Sequence, residues 1–213
     1  MSRAPSLCAV ILAAGDSTRM GRDKALLPWP PVPSGELFRQ TFLSAAIAAL
    51  GPFNDMVLVV GGNNAENIAP VAYSNGAFLV RNPAPERGQF SSLQAGLQEV
   101  LNRGRDAAMI TLVDRPPADH ATLRNLRDAF IASVAGGRWA VVPEFQGKHG
   151  HPIIVGREMI EVFLKATSTT TTARDIEHLH QSRIVYLPVD DPFVAMNVDT
   201  PEDYAALSAP QLK

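Results

Sequence analysis

Ala9-Val-Ile-Leu-Ala-Ala-Gly-Asp-Ser-Thr-Arg-Met-Gly-Arg-Asp-Lys24 is the stretch that decides the fold, because an apolar run opens directly into a glycine-bearing loop. The run Leu7–Leu12 has no polar alternation, which is typical of a strand in a parallel sheet covered on both faces. In the loop that follows, small residues let the backbone approach a ligand, and Arg19 and Lys24 add positive charge. Successive amide groups in such a loop form an anion-binding concavity. The stretch predicts a phosphate-binding turn, with tight packing as the alternative.

Two standard phosphate motifs are excluded by the spacing of these glycines. The chain has no G-x-G-x-x-G here, which argues against a dinucleotide-binding fold. The P-loop spacing fails because Gly21 is followed by Arg22 where that motif needs lysine. An oxidoreductase on a Rossmann-like sheet is therefore the weakest functional hypothesis.

Beyond the loop, apolar runs alternate with helical patterns, which is the signature of βαβ units. The sequence predicts strands at 56–60, 77–80 and 107–113, and helices from a cap at Ser34 to Leu50, at 65–73, at 91–101 and from about Ala173. The predicted fold is α/β, with a doubly wound, mostly parallel sheet in a single domain over residues 1–213.

Composition fits a globular domain and narrows the range of partners. Hydrophobic residues make up 46% and charged residues 19% of the chain, and the net charge of −2 argues against a general nucleic-acid binder. No apolar segment approaches the length of a membrane span. The single cysteine, Cys8, lies in the first apolar run and is expected to be a core residue without a disulfide partner. We expect a cytoplasmic protein, a monomer or weak homodimer, that binds neither nucleic acid nor membrane.

Two aspartates are placed for chemistry. Asp114, in Thr111-Leu-Val-Asp-Arg-Pro-Pro117, follows a predicted strand, and ligands of open α/β sheets bind at the carboxyl ends of strands. Asp199, in Met196-Asn-Val-Asp-Thr-Pro-Glu-Asp-Tyr204, is predicted at a second strand-to-helix junction. Helix capping by Thr200, Pro201 and Asp203 explains the rest of that motif but not Asp199. Two carboxylates beside a phosphate site suggest Mg²⁺.

The segment from Leu12 to Pro28 resembles the signature L-A-A-G-x-S-x-R-M-G-x-x-K-x-L-L-P of the MobA-like NTP transferase family. Three further motifs of that family follow in the same order: Gly88-Gln-Phe-Ser-Ser-Leu-Gln-Ala-Gly-Leu97, the D-x-P at Asp114, and the N-x-D-T-P around Asp199. The resemblance implies a doubly wound nucleotidyltransferase that moves a nucleoside monophosphate from an NTP to a phosphorylated acceptor and releases pyrophosphate. It also implies a nucleotide-binding half at about 1–115 and an acceptor-binding half at about 116–213.

The resemblance also assigns roles to individual residues. Catalysis falls to Arg19, Lys24 and Asp114, and the metal, Mg²⁺ or alternatively Mn²⁺, to Asp114 and Asp199. The nucleotide-binding set is Leu12, Ala13, Ala14, Gly15, Ser17, Arg19, Lys24, Gly88, Ser91, Ser92 and Asp114. The acceptor-binding set is Gly150, His151, Pro152 and Arg174. Ser91 and Ser92 could equally be ordinary helix N-caps.

The motif Gly150-His-Pro152 and the triplet Ala13-Ala-Gly15 resemble the molybdenum cofactor cytidylyltransferase branch, which favours CTP as donor and molybdopterin as acceptor. Departures from the branch keep other acceptors open: Arg115 stands where many relatives have Met or Gln, and residues 29–33 form a proline-rich insert. Only Arg174 and Asp175 match the branch's Gly/Arg-rich acceptor segment. The alternatives are a sugar- or alditol-phosphate nucleotidyltransferase and a non-catalytic nucleotide-binding regulatory domain.

Overall fold

The computed structural model of the chain describes residues 5–15, 17–32, 37, 39–167 and 171–207. The strands are β1 (Leu7–Leu12), β2 (Pro28–Trp29), β3 (Gln40–Thr41), β4 (Met56–Gly61), β5 (Phe78–Arg81), β6 (Ala107–Leu112), β7 (Ala140–Phe145), β8 (Lys148–His149), β9 (Ile153–Gly156) and β10 (Ile184–Pro188). The helices are α1 (Phe42–Leu50), α2 (Ala65–Ser74), α3 (Gln89–Asn102), α4 (His120–Val134), α5 (Arg157–Lys165), α6 (Ala173–Leu179) and α7 (Pro201–Ala206). No helix in these residues has the length and apolar character needed to cross a bilayer.

The main sheet confirms the doubly wound, mostly parallel architecture. Its strand order is β10-β7-β9-β6-β1-β4-β5, and β1 lies between β6 and β4, parallel to both. The exceptions are β9, which runs antiparallel to β6 and β7, and the short β8, which runs antiparallel to β7. Residues 146–152 are too few for a parallel crossover, which needs a dozen or more residues, so β9 has to return in the opposite direction.

Helices cover both faces of this sheet, as the unbroken apolar run of β1 predicts. Ile11 points to the face covered by α1, α2 and α4, and Val10 points to the face covered by α3 and α5. Gly96 lets α3 approach closely, since a Cβ there would lie 2.8 Å from Val10 Cγ1. Cys8 is fully buried on the same face as Val10, and burial raises the pKa of its thiol to about 12. The carboxyl ends of the parallel strands therefore lie along one edge of a well-packed sheet, and the loops extend from this edge.

The predicted start of the first long helix is wrong. The helix α1 begins at Phe42, where the Thr41 side chain accepts a hydrogen bond from Ser44 N in a capping box. Before it, β2 and β3 pair as a short antiparallel ribbon, and the proline-rich insert starts at Trp29 within β2. The predicted cap Ser34 lies outside the described residues.

The insert also packs against the C-terminal segment. Trp29 contacts Phe42 edge-on with ring centroids 4.8 Å apart, and Tyr204 Oη donates a 2.8 Å hydrogen bond to the Pro28 carbonyl. The predicted capping box of Thr200 and Asp203 is present at the start of α7. Aromatic packing and a capped helix thus hold the residues around position 199 against the body of the domain.

Candidate active site

The loop after β1 is fixed by its own hydrogen bonds. Ser17 adopts a left-handed backbone conformation with φ 49°, and its Oγ accepts a 3.2 Å hydrogen bond from Lys24 N. From outside, Asn64 Nδ2 donates to the Ala13 carbonyl at 2.9 Å and to Asp23 Oδ2 at 2.7 Å. These hydrogen bonds close the loop and brace it from outside. Nothing in the sequence around Asn64 points to this bracing role.

Lys24 lies at the centre of the site. Only 8% of the residue is exposed, and its Nζ is 2.8 Å from Asp199 Oδ1 and 3.5 Å from Asp114 Oδ2. Arg19 is on the rim, with a side chain that is 68% exposed and an Nη2 atom 3.2 Å from the same Asp199 oxygen. The hydrogen bond from Lys24, with the charges of Lys24 and Arg19, holds the pKa of Asp199 below its ordinary value. The structure thus joins residues that are 175 positions apart in the sequence.

The two aspartates reach the site from different directions. Asp114 follows β6 by two positions, as predicted, whereas Asp199 lies in a loop between a short 3₁₀ helix (Pro192–Ala195) and α7. It does not directly follow a strand, because β10 ends at Pro188 and the 3₁₀ helix intervenes. A 2.8 Å hydrogen bond from Val198 N to the Asp114 carbonyl brings the two segments together.

The donor set of these aspartates suits a divalent cation. Asp114 Oδ1 is buried and has no hydrogen-bond partner among the described residues, while Asp114 Oδ2 and Asp199 Oδ1 face a single ammonium group. In the described part of the chain, no cluster of three or more His, Cys, Asp or Glu side chains could hold a metal. Two carboxylates that share an ion with substrate phosphates are the usual arrangement for Mg²⁺. The pair therefore fits Mg²⁺ or Mn²⁺ better than a closed structural metal site.

A polar cleft of about 290 Å³ lies over Lys24, between the loop and the start of α3. It is lined by ten of the residues predicted for the nucleotide, the metal or catalysis: Leu12, Ala14, Gly15, Ser17, Arg19, Lys24, Gly88, Ser92, Asp114 and Asp199. Residues that the sequence did not single out complete the lining, namely Thr18, Pro85, Gln89, Leu112 and Val113.

Ala13 and Ser91, also predicted for the nucleotide, do not line the cleft. Ala13 is buried and its amide donates to the Val60 carbonyl at 2.9 Å. Ser91 and Ser92 both accept hydrogen bonds from Asn82 Nδ2, at 2.8 and 2.9 Å. Neither serine caps α3, whose N-cap is Gly88 without a side-chain cap. Ala13 and Ser91 thus lie behind the wall of the cleft, whereas Ser92 lines it. The alternative that the two serines are helix N-caps is wrong.

A second cavity, of about 830 Å³, adjoins the first and shares Leu12, Gly88, Gln89 and Leu112 with it. Of the predicted acceptor residues, Gly150, His151 and Arg174 line it, and Pro152 does not. Its other charged or aromatic lining residues are Arg87, Phe90, Lys148, His149, Glu177, His178 and Tyr186. The two cavities form a continuous depression that takes residues from both predicted halves of the chain.

Three features of the second cavity bear on its ligand. The His149 ring stacks on Tyr186 with centroids 4.1 Å apart and an interplanar angle of 11°, and its Nε2 lies 3.4 Å from Glu144 Oε2. Burial raises the pKa of Glu177 to about 6. Burial, assisted by the charge of Arg115, lowers the pKa of His151 to about 3, so that imidazole is neutral near pH 7.

The Gly150-His-Pro152 motif also holds a neighbouring segment in place. His151 N donates to the Val194 carbonyl at 2.8 Å, and a Cβ on Gly150 would lie 2.2 Å from that oxygen. Arg115 Nη1 donates to the same carbonyl at 2.9 Å. The sequence gives no signal for Val194, because the residues that contact it are remote along the chain.

The chain is similar to known proteins over most of its length. A profile of the MobA-like NTP transferase domain matches residues 9–184. The molybdenum cofactor cytidylyltransferase of Escherichia coli (strain K12) is 24% identical over 196 residues, which cover 92% of each chain. Purine catabolism protein PucB of Bacillus subtilis (strain 168) is 33% identical over 122 residues, covering 54% of this chain and 56% of PucB.

Solved structures share the fold over nearly the whole chain. The crystal structure of Rv0371c from Mycobacterium tuberculosis H37Rv superposes with a TM-score of 0.74 at 25% identity, covering 96% of this chain and 98% of that one. A manganese complex of the same mycobacterial protein superposes with a TM-score of 0.67 at 22% identity, covering 95% and 97% of the two chains.

Proposed function

The chain belongs to the MobA-like NTP transferase family, and on that premise we propose that it transfers a cytidylyl group from CTP to a phosphorylated acceptor, with molybdopterin as first candidate. The observation that carries the proposal is the position of Lys24, which contacts both Asp114 and Asp199 at the floor of a polar cleft. The opening of this cleft into a second, larger cavity supports a reaction between two bound substrates.

In this proposal the loop of residues 13–24 receives the triphosphate. Lys24 and Arg19 neutralise the β- and γ-phosphates and the charge that develops on the leaving pyrophosphate. Asp114 and Asp199 hold the divalent cation, Mg²⁺ or Mn²⁺, which when bound neutralises charge at the phosphate oxygens. The structure of the mycobacterial protein as a complex with manganese supports the use of a divalent cation. Lys24 would then exchange its carboxylate contacts for phosphate oxygens.

The reaction is a displacement at the α-phosphorus of CTP. A new bond forms between an oxygen of the acceptor phosphate and the α-phosphorus, while the bond from the α-phosphorus to the bridging oxygen of the β-phosphate breaks. The electron pair leaves with pyrophosphate. Because the attacking phosphate is already an anion, no side chain has to act as a strong general base. Positioning by the two cavities and charge neutralisation account for catalysis.

The second cavity supports a planar acceptor. The His149–Tyr186 stack presents an aromatic surface, and flat rings gain from offset stacking on such a surface. Arg174 and Lys148 line the same cavity and suit an anionic group. These features favour a pterin phosphate over a sugar or alditol phosphate, which has no flat ring to stack. The similarity to the molybdenum cofactor cytidylyltransferase of Escherichia coli supports CTP as the donor and molybdopterin as the acceptor.

A donor screen followed by a turnover assay tests the proposal. If CTP is the donor, CTP with Mg²⁺ should raise the melting temperature most among the four NTPs. The effect is large enough to detect, because a ligand at 100 times its Kd stabilises by about 2.7 kcal/mol. Pyrophosphate should then be released with molybdopterin and much less with sugar or alditol phosphates. Release with an alditol or sugar phosphate alone would move the assignment to that alternative. Nucleotide binding without pyrophosphate for any acceptor would support the non-catalytic regulatory domain.

Asp114→Asn tests the role of the metal pair. Turnover should fall by about two orders of magnitude or more, because a positioned metal contributes several kcal/mol of charge stabilisation. Asp128→Asn is the matched control, since among the described residues Asp128 pairs with the adjacent Arg127 on the surface of α4 and with no other cation. If the Asp114 variant kept turnover within a few-fold of wild type, the assignment of the metal to this pair would have to be abandoned.

We further propose that the protein acts in the cytoplasm as a monomer or weak homodimer, with small-molecule substrates and neither nucleic acid nor membrane as partner. Its slightly acidic net charge of −2 and its single, buried cysteine support this setting. Size-exclusion chromatography with light scattering would measure the oligomeric state directly.

A further inference from the structure

The carbonyl oxygen of Val194 is contacted by residues from other parts of the chain. Arg115 Nη1 donates to it at 2.9 Å, His151 N donates to it at 2.8 Å, and the backbone of Gly150 packs directly against it. Val194 itself is fully buried. A buried carbonyl that accepts two hydrogen bonds is held from two sides, because each donor occupies one of its two lone pairs.

Val194 begins the segment of chain that carries Asp199. Between them, Val198 is buried and its amide donates to the Asp114 carbonyl at 2.8 Å. The segment that carries Asp199 is therefore attached to two consecutive residues: to Asp114 through the main chain, and to Arg115 through a side chain. These two attachments fix where the second carboxylate stands relative to the first.

Arg115 also belongs to the electrostatics of the pair. Burial lowers the pKa of its guanidinium, and the carboxylates of Asp114 and Asp199 act in the opposite direction. A guanidinium stays protonated at any working pH, so a fixed positive charge lies behind the two aspartates. The part of the side chain at Nε is buried and has no hydrogen-bond partner among the described residues. Burial of an unpaired N–H costs free energy, which the contacts of the guanidinium have to offset.

We propose that Arg115 is a positioning residue: by holding the Val194 carbonyl it keeps Asp199 opposite Asp114, and so sets the affinity of the pair for the cation that accompanies the nucleotide. This inference rests on the proposed function. The essential property is a long side chain with a terminal donor. Methionine offers an unbranched apolar side chain without the donor, and lysine keeps the charge and the reach.

The test compares Arg115→Met with Arg115→Lys by titrating Mn²⁺ in the presence of CTP and following free Mn²⁺ by electron paramagnetic resonance. Outer contacts of metal ligands typically contribute 10–100-fold to metal affinity, so R115M should weaken Mn²⁺ binding by about 10-fold or more. R115K should stay within about threefold of wild type, since it keeps the donor. CTP affinity without metal should be unchanged in both variants, which a general structural defect would not allow.

Arg157→Met is the matched control. Arg157 likewise donates to a backbone carbonyl, that of Arg105, and pairs with Asp106, but this contact lies at the opposite edge of the sheet beside the start of β6. R157M should bind Mn²⁺ as wild type does. If R115M does not fold, Arg115→Gln makes the same comparison, because its shorter amide cannot reach Val194 and should also weaken Mn²⁺ binding.

The outcomes separate this inference from the proposed function. Wild-type Mn²⁺ affinity in a folded R115M or R115Q protein would overturn the role of Arg115. Weakened binding that R115K restores would support it. If wild type bound Mn²⁺ and CTP yet released no pyrophosphate with any acceptor, the proposed function would fail while the placement of Asp199 by Arg115 would stand.

Discussion

Gly150→Ala should destabilise the protein strongly, although it adds one methyl group. The added Cβ would lie 2.2 Å from Val194 O and 2.6 Å from Val194 C. A close C···O contact is about 3.3 Å, so the two backbones would have to separate by about 1 Å. Since both sides are main chain, no rotamer can relieve the clash. Overpacking of this kind costs about 1–3 kcal/mol, and we expect a value near 3 kcal/mol.

Urea unfolding of the variant measures this cost. Gly51→Ala is the matched control, because nothing lies within 4 Å of the added Cβ and φ at Gly51 is −51°. The control should be neutral or stabilise by up to about 1 kcal/mol. For a chain of this size, Gly150→Ala should lower Tm by about 6–12 °C. A free energy of unfolding within about 0.5 kcal/mol of wild type would refute the packing argument, since surface substitutions reach that range.

Three further predictions concern charge. Lys24→Met should raise the pKa of Asp199 towards its ordinary value, because the hydrogen bond and charge that lower it are removed; carboxyl NMR titration measures this, and an unchanged pKa would contradict the observed contact. Glu177→Gln should remove a rise in acceptor KM between pH 5.5 and 7.5, since ionisation of Glu177 above its pKa of about 6 places negative charge beside an anionic acceptor. His151, with a folded pKa of about 3 against 6.5 unfolded, contributes stability that is full above pH 6.5 and is lost as the pH falls towards 3. When the pH falls from 6.5 to 5.0, the free energy of unfolding of His151→Asn should therefore drop by about 2 kcal/mol less than that of wild type. Urea unfolding measures this difference, and equal drops would count against a neutral buried imidazole.

Local features of the sequence were sufficient to predict the centre of the fold and the loop after β1 that lines the cleft. The apolar run of β1 and the small residues after it required a buried strand followed by a close-approaching loop, and both are present. Asp114 was placed correctly because a strand end is visible in the sequence. The capping box at Thr200 was likewise predicted from side chains three residues apart.

The features that were missed depend on contacts between distant segments. No periodicity reveals that Asn64 braces the Ala13 loop or that Arg115 reaches Val194. The direction of β9 follows from the length of the connection before it. The start of α1 was missed because β2 and β3 pair in the segment before it. The candidate site is therefore predictable in its residue types but not in the network that holds those residues at fixed distances.

The contacts of Lys24 have a consequence for the order in which ligands arrive. With the metal held by Asp114 and Asp199 as proposed, a bare cation approaching Asp199 meets a carboxylate already neutralised by an ammonium group 2.8 Å away and has to displace that contact. A cation that arrives on a triphosphate brings phosphate oxygens to which Lys24 can donate in exchange. The protein should thus discriminate against free metal and admit metal and nucleotide as one ligand.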